Sequence, residues 1–461
     1  MEQYQTIIIG GGAAGLMAAI TSARQGHQTL IIEKNQIIGR KILVTGNGRC
    51  NLTNTHITPD KYYGENTKCL HNIFSRFSSK DTIAFFEDIG VRLKTEEEGR
   101  VFPVTNQAST IVDLLTEELT QLKVSINLCE CVKELISIKD GWEVRTTKTI
   151  YYSKNVILAT GGKSYPQLGS TGDGFDLAHR LGHRIIEPRP ALVSLEIAGN
   201  PPECTYGRAG WFHKLQGVKS EVEMTLRCYD TPRCESGRSV SKGIGAERPA
   251  SAPMLTNGAS RTKHRDEGIG TLTNSGKTIA RETGELLFTH YGISGPIVLN
   301  LSRLIMDYSN KSDSAVFINF FPGYTPDKLK QFITDRWKAH PQKTLANSLI
   351  GLLPKKLCGV LIGELKLIGE TKVNQITKND LNSIAEKFTH WLITVKKSRP
   401  FDESMITAGG VAMDDVNTRT MESLKKKGLY LAGEVLDIDG VSGGYNLQFA
   451  WSTGYLAGLQ L

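Results

Sequence analysis

The chain has 461 residues, 39% hydrophobic and 22% charged, enough for two or three domains around a sizeable core. No apolar run reaches the length of a spanning helix and the N-terminus shows no signal-peptide pattern, so the sequence predicts a cytoplasmic protein with no membrane partner. The formal net charge is +8, yet the stretch from Arg227 to Arg281 holds ten Lys/Arg against five Asp/Glu; most of the surplus is local, and overall charge is weak support for nucleic-acid binding.

The chain opens on a short apolar β-branched run, Thr6-Ile7-Ile8-Ile9, followed at once by Gly10-x-Gly12-x-x-Gly15 and an Ala-rich segment. This reads as strand, tight turn, helix, the cradle of a dinucleotide. Gly10 takes the dihedrals of the turn, Gly12 lets backbone approach a pyrophosphate, and Gly15 lets the helix lie close on the strand. Ala13 and Ala14 begin that helix, whose unpaired N–H groups attract phosphates. A second strand, Thr29-Leu30-Ile31-Ile32, ends in Glu33, 23 residues after Gly10, where a ribose-binding acid is expected. Lys34 follows it. The acid disfavours a 2′-phosphate without separating NAD from FAD.

Residues 39–54 are rich in Gly, Asn and cations and too polar for core, so they predict a loop that wraps a phosphate-bearing ligand. Arg40, Lys41, Gly46 and Asn51 are its candidate ligand contacts. Helices are expected over 81–90 and 110–122, with Gly99 to Pro103 between them as an extended loop placing Arg100 and Phe102 beside the ligand. A β-meander is expected over 124–128, 131–136, 142–145 and 149–152. The next strand, 155–159, ends in Thr160-Gly161-Gly162 and brings backbone back to the cofactor. A second Gly-rich segment, 169–174, leads into a helix from Phe175 to Leu181.

From Ala191 the texture changes. Alternating stretches at 193–197, 218–226 and 314–320 predict an inserted β-rich domain. It is interrupted by 229–277, rich in Ser, Gly, Arg, Thr and Pro, which reads as a mobile insertion. Residues 326–390 have helical periodicity. The chain then returns through Thr407-Ala408-Gly409-Gly410-Val411, a strand ending in Gly433-Glu434, and Gly443-Gly444-Tyr445-Asn446, which opens a C-terminal helix suited to a second electronegative group. The domains expected are 1–192 and 398–461 for the nucleotide, 193–322 as the β-rich insert and 323–397 as a small helical domain. The eight cysteines are scattered, with no Cys-x-x-Cys and no zinc spacing, and read as free thiols in a reducing compartment, with no metal site.

The N-terminal fingerprint, residues 39–54, Phe102-Pro103, Ala159 to Gly162, Phe288 to Pro296, Thr407 to Val411 and Leu431 to Gln448 together resemble the BaiN/RdsA family of NAD(P)/FAD-dependent oxidoreductases. The resemblance covers most of the chain outside 229–277, and it implies an α/β architecture: a glutathione-reductase-like, Rossmann-type FAD domain with an inserted β-barrel domain and a small helical domain. It also implies noncovalent FAD. By carry-over, Gly10 to Gly15 hold the pyrophosphate, Glu33 the adenosine ribose and Val132 the adenine through its backbone. Gly433-Glu434 and Gly444 to Asn446 take the ribitol and isoalloxazine end. The 229–277 insertion departs from the family pattern.

The family includes steroid-enone reduction, aminoacetone oxidation and reduction of a 23S ribosomal RNA uridine to dihydrouridine. In a C=C reduction, hydride passes from the flavin to one carbon and an acid protonates its neighbour. Cys50, between Arg49 and Asn51, is the first candidate acid, and a small packed cysteine is the equally available structural reading. His290 and Tyr291 are alternative donors. No second strand–Gly-x-Gly-x-x-Gly–helix unit is present, so either NAD(P)H visits the flavin directly or electrons come from elsewhere. Three functions stay open: an rRNA dihydrouridine synthase, which leads; a small-molecule enone reductase or amine oxidase; and a non-catalytic flavin-binding protein.

Overall fold

A computed structural model describes residues 3–198, 214–229, 276–309 and 313–459. Nearly all of the expected insertion at 229–277 lies outside the described residues. The chain forms two compact units, one of Met1–Ser220, Glu285–Arg303 and Lys396–Leu461, the other of Glu221–Gly284 and Leu304–Val395.

The first unit is a Rossmann-type α/β fold. Its central sheet runs Ser125–Asn127, Thr29–Ile32, Gln3–Ile9, Ile150–Leu158, with Leu429–Leu431 beside the last, all parallel. Ile7 stands opposite Leu30 on one side and Val156 on the other, and all three are fully buried. Helices or other cover on both faces explain why these strands read as continuous apolar runs rather than alternating ones.

Two expectations change here. Residues 124–128 do not belong to the meander: Ser125–Asn127 pairs parallel with Thr29–Ile32 at the edge of the main sheet. The expected strands at 149–152 and 155–159 are one strand, Ile150–Leu158. Its first half alternates in burial and pairs antiparallel with Gly141–Thr146, while its last three residues are fully buried and pair parallel with Leu429–Leu431. A single strand therefore changes its burial pattern midway because its neighbours change.

The two ends of the chain meet where helix Ala13–Arg24 packs on helix Tyr445–Leu459. A Cβ on Gly454 would lie 2.3 Å from the Ala14 carbonyl oxygen, and one on Gly458 2.5 Å from that of Ala18. Only glycine permits that approach. Ile406–Val411 pairs antiparallel with Ile185–Ala191, a strand hidden in sequence by Pro188 and Pro190 and accommodated by a register shift between Ile186 and Arg189.

In the second unit, Asp313–Asn319 lies between Lys219–Tyr229 and Trp391–Ile393 in antiparallel pairing. The helical periodicity of 326–390 resolves into Pro326–Ala339, Leu345–Ser348, Lys355–Glu364 and Lys378–Thr389. Thr377 and Asp380 form a reciprocal capping box, and Ile384 and Phe388 sit on the fully buried face of the helix it starts. Among the described residues no helix is long and apolar enough to cross a membrane.

Candidate cofactor site

The first unit encloses a cavity walled by both ends of the chain. Gly10, Gly12, Ala13, Ala14, Glu33, Lys34, Arg40, Lys41, Val132, Thr160 and Gly161 line it from the N-terminal part, and Gly433, Glu434 and Asn446 from the C-terminal part.

The glycine turn is built as its spacing demands. Gly10 has φ +105°, and a Cβ there would lie 2.5 Å from the Ala159 carbonyl oxygen; a Cβ on Gly15 would lie 1.9 Å from that of Gly10. Gly12 differs: a Cβ there meets nothing within 4 Å, because this side of the turn opens into the cavity. Helix Ala13–Arg24 starts without a side-chain cap and without an acid in its first turn, so its positive end is left to a ligand.

Glu33 is buried at the adjoining strand end. Its Oε2 accepts from the Gly11 N–H at 2.7 Å, and its Oε1 from the Asn35 N–H and Nδ2, each at 2.7 Å. A carboxylate has about four acceptor positions, so one remains for a hydroxyl. Arg40 donates to Asn35 Oδ1 at 2.9 Å. Lys34 donates to Thr171 Oγ1 and, at 2.5 Å, to Asp173 Oδ2. Burial pushes the Asp173 carboxyl up, but its bonds with Lys34 and Thr171 bring it below the usual aspartate range. Asn35 and Asp173 are both in the cavity wall; Asn35 belongs to no motif, and Asp173 lies in the second Gly-rich segment, where the sequence singles out no side chain.

Glu434 sits in the one-turn helix Gly433–Val435 that follows the strand Leu429–Leu431. Its Oε2 accepts from Lys41 Nζ at 2.7 Å, and its Oε1 from Ser164 Oγ at 2.6 Å and the Thr407 N–H at 2.8 Å. Asn446 pins the loop before the C-terminal helix by exchanging hydrogen bonds with the backbone of Gly440, each 2.8 Å long.

Five expected cofactor residues shape backbone without lining the cavity. Gly15 is the helix–strand contact described above. Gly46, at φ +56°, packs on the Asn51 amide, where a Cβ would come within 2.8 Å; the side-chain amide of Asn51, correctly oriented, spans Thr53 O and Gly444 N at 3.2 Å each. Gly444 lies against the Thr53 carbonyl, and Tyr445 is buried with its hydroxyl donating to His56 O at 3.3 Å.

The polar stretch 39–54 is not the open loop its composition predicts. Arg40–Val44 is a short helix, and Cys50, Leu52, Thr53 and Asn54 are buried. Arg49 lies over the Phe102 ring, 4.0 Å from its centroid, and pairs with Glu96, so it is spent on structure. Arg100 to Pro103 is a strand between Thr53–Asn54 and Leu93–Thr95, with Arg100 turned to Glu97 O at 3.1 Å and Phe102 buried, and neither residue lines the cavity.

The three expected acids also lie outside the cavity lining. Cys50 is fully buried, and burial pushes its thiol up to about 12 against the opposing hydrogen bond with Thr45. Flanking cations do not set its acidity. His290 and Tyr291 form the turn between Lys277–Phe288 and Gly292–Ser294, their rings 4.9 Å apart. Arg399 covers the Tyr291 ring at 4.5 Å while pairing with Glu196 and Glu403. Among the described residues no cluster of His, Cys, Asp or Glu could hold a metal ion.

An open glycine, an uncapped helix end and a carboxylate with one acceptor position free suit the phosphates and ribose of a dinucleotide. Fold and cavity define a Rossmann-type dinucleotide-binding protein, and the family and relatives that it matches make it a flavoprotein oxidoreductase. Residues 4–460 match the family described as HI0933-like protein Rossmann domain, and the chain belongs to that family. It is 32% identical over 455 residues to the 3-dehydro-bile acid delta(4,6)-reductase of Clostridium scindens, covering 98% of this chain and 97% of that one. It is 30% identical over 467 residues to the ribosomal RNA dihydrouridine synthase of Haemophilus influenzae, covering 100% and 99%. The protein of the same name from Escherichia coli is 29% identical over 455 residues, covering 99% and 97%.

Proposed function

We propose that this protein holds FAD noncovalently and reduces an activated C=C bond, and that its substrate is a uridine of 23S ribosomal RNA, converted to dihydrouridine. The observation that carries the reading is one continuous cavity with Glu33, Val132, Gly12, Glu434 and Asn446 in its wall. In it the Gly10 to Gly15 turn, with Ala13 and Ala14, takes the pyrophosphate, Glu33 the ribose, and the Val132 backbone the adenine. Gly433, Glu434 and the Gly444 to Asn446 turn take the ribitol and isoalloxazine. Lys34, Arg40, Lys41, Thr160 and Gly161 complete the wall, with Gly46 and Asn51 supporting the turn at Gly444. FAD supplies the hydride, and NAD(P)H is the proposed source of its electrons. The protein's part is to hold the coenzyme by its phosphates and hydroxyls and to keep one face of the ring for the substrate. Cys50, His290 and Tyr291, the candidate proton donors, do not line the cavity.

The RNA substrate is supported by full-length similarity to two proteins named ribosomal RNA dihydrouridine synthase. We assign the nucleotide to 1–192 and 398–461, and the choice of substrate to the inserted stretches, a β-barrel domain at 193–322 and a helical domain at 323–397. A small-molecule enone reductase is the second reading, favoured by 32% identity to a bile-acid reductase over nearly the whole chain. Deleting the gene and measuring dihydrouridine in 23S rRNA by mass spectrometry separates the two. Loss of the modification supports the first. Unchanged dihydrouridine, with a purified protein that is yellow and releases FAD on denaturation, leaves the second; a colourless protein that cannot take up FAD overturns both.

A further inference from the structure

The Lys41–Glu434 pair is held by Ser164, which lies in no motif, and by Thr407, which opens the stretch Thr407 to Val411 but has no role assigned there. Ser164 is fully buried; its Oγ donates to Glu434 Oε1 at 2.6 Å and accepts from Lys41 Nζ at 2.5 Å, so one hydroxyl touches both members of the pair. Thr407 is also fully buried. Its N–H donates to the same Oε1 at 2.8 Å, and its Oγ1 accepts from the N–H groups of Lys163 at 2.7 Å and Ser164 at 3.0 Å. Gly162 makes room for this knot: a Cβ there would come within 2.3 Å of Thr407 Oγ1 and 2.8 Å of Glu434 Oε1.

The hydrogen-bond inventory gives the knot a consequence. Oε1 of Glu434 has both acceptor positions filled, whereas Oε2 carries only the Lys41 bond and keeps one. Lys41 has used two of its three N–H donors. The pair therefore presents one acceptor and one donor in fixed directions, with about a fifth of each side chain exposed at the cavity wall. Freed of Ser164 and Thr407, the carboxylate could rotate and close both oxygens on the lysine.

We propose that Ser164 and Thr407 are positioning residues for coenzyme binding: they fix the Lys41–Glu434 pair so that it meets a hydroxyl-bearing, anionic ligand with one acceptor and one donor already aimed. The proposal rests on the flavin reading of the cavity. It is tested by titrating FAD into apoprotein and following the quenching of flavin fluorescence. S164A weakens FAD binding by about tenfold, the cost of a hydrogen bond to a charged group. T407V keeps the N–H bond to Glu434 and loses only the hydroxyl that holds the Lys163 and Ser164 N–H groups, so it weakens binding by about threefold, while T407S, which keeps the hydroxyl, binds like wild type. In an E434A background, S164A costs less than about twofold, because its action passes through the carboxylate. Equal affinity of wild type, S164A and T407V overturns the proposal, as does an S164A loss of the same size with and without Glu434. A wild-type chain that binds no FAD overturns the flavin reading instead.

Discussion

Two carboxylates mark the two ends of the cavity, and they are held in opposite ways. Glu33 takes its hydrogen bonds from Gly11 and Asn35, 22 and 2 residues away. Glu434 takes its bonds from Thr407, Ser164 and Lys41, which are 27, 270 and 393 residues away. The first end assembles as soon as one strand–turn–helix–strand unit forms. The second exists only when distant parts of the chain have closed on each other, so its geometry depends on the whole fold. Damage to the first should act on coenzyme binding through local strain, and damage to the second through the packing that joins the ends.

The strongest test of the contrast lies within the glycine turn. Gly15→Val forces a side chain into the Gly10 carbonyl, 1.9 Å from where its Cβ would stand. The expected outcome is loss of soluble folded protein, a cost above about 4 kcal/mol, read from soluble yield and circular dichroism. Gly12→Ala, facing open space, should fold like wild type and lose only FAD affinity.

At the far end, Arg303 pairs with Asp439, their side chains 12% and 3% exposed, beside the segment that carries Glu434. Arg303→Met breaks this buried ion pair, and denaturant melts should show about 3 kcal/mol lost. Glu33→Gln comes next. An amide nitrogen turned toward either Gly11 or Asn35 meets a donor, so stability should fall by about 2 kcal/mol and FAD titration should show a matching loss of affinity.

A smaller effect of opposite sign is expected at Asp437. It is 1% exposed and accepts from the Glu65 N–H through Oδ2, while Oδ1 has no hydrogen-bond partner. Burial raises its carboxyl above the usual range. A carboxyl raised by folding contributes stability at pH below its unfolded value and loses it as pH climbs through the folded one. Asp437→Asn should therefore raise the melting temperature at neutral pH and flatten its decline as pH rises out of the acid range. The smallest effect belongs to Cys50. With its thiol pushed up to about 12 and no surface exposed, it should resist alkylation in the native protein at pH 8, where the exposed Cys129 reacts, and peptide mass spectrometry reads both.

The cradle at Gly10 to Gly15, the acid at Glu33 and the return strand were legible because each is a local sequence of backbone needs, a positive φ, a close approach, a strand end, although that strand stops at Leu431 and Gly433-Glu434 fall in the one-turn helix after it. The wrong expectations came from composition. Residues 39–54 look like an exposed loop, yet Arg49 is spent on Phe102 and Glu96, and Cys50 is core. Arg100 and Phe102 look available to a ligand until their strand pairing is known. Pro188 and Pro190 concealed a strand that a register shift makes possible. Asn35 and Ser164 carry no pattern at all, and Asp173 and Thr407 sit in Gly-rich stretches that give their side chains no part, since their importance comes from the partner they meet.

By itself the sequence determined the dinucleotide cradle and the family, because these depend on residues whose dihedrals and side chains act on near neighbours. Tertiary structure alone decided which cations stayed at the cavity, which were drawn into ion pairs elsewhere, and how Lys41 and Glu434 come to share one hydroxyl. A hydrogen bond reaches about 3 Å whatever the separation along the chain, so its partners are settled by packing, which no stretch of sequence states in advance.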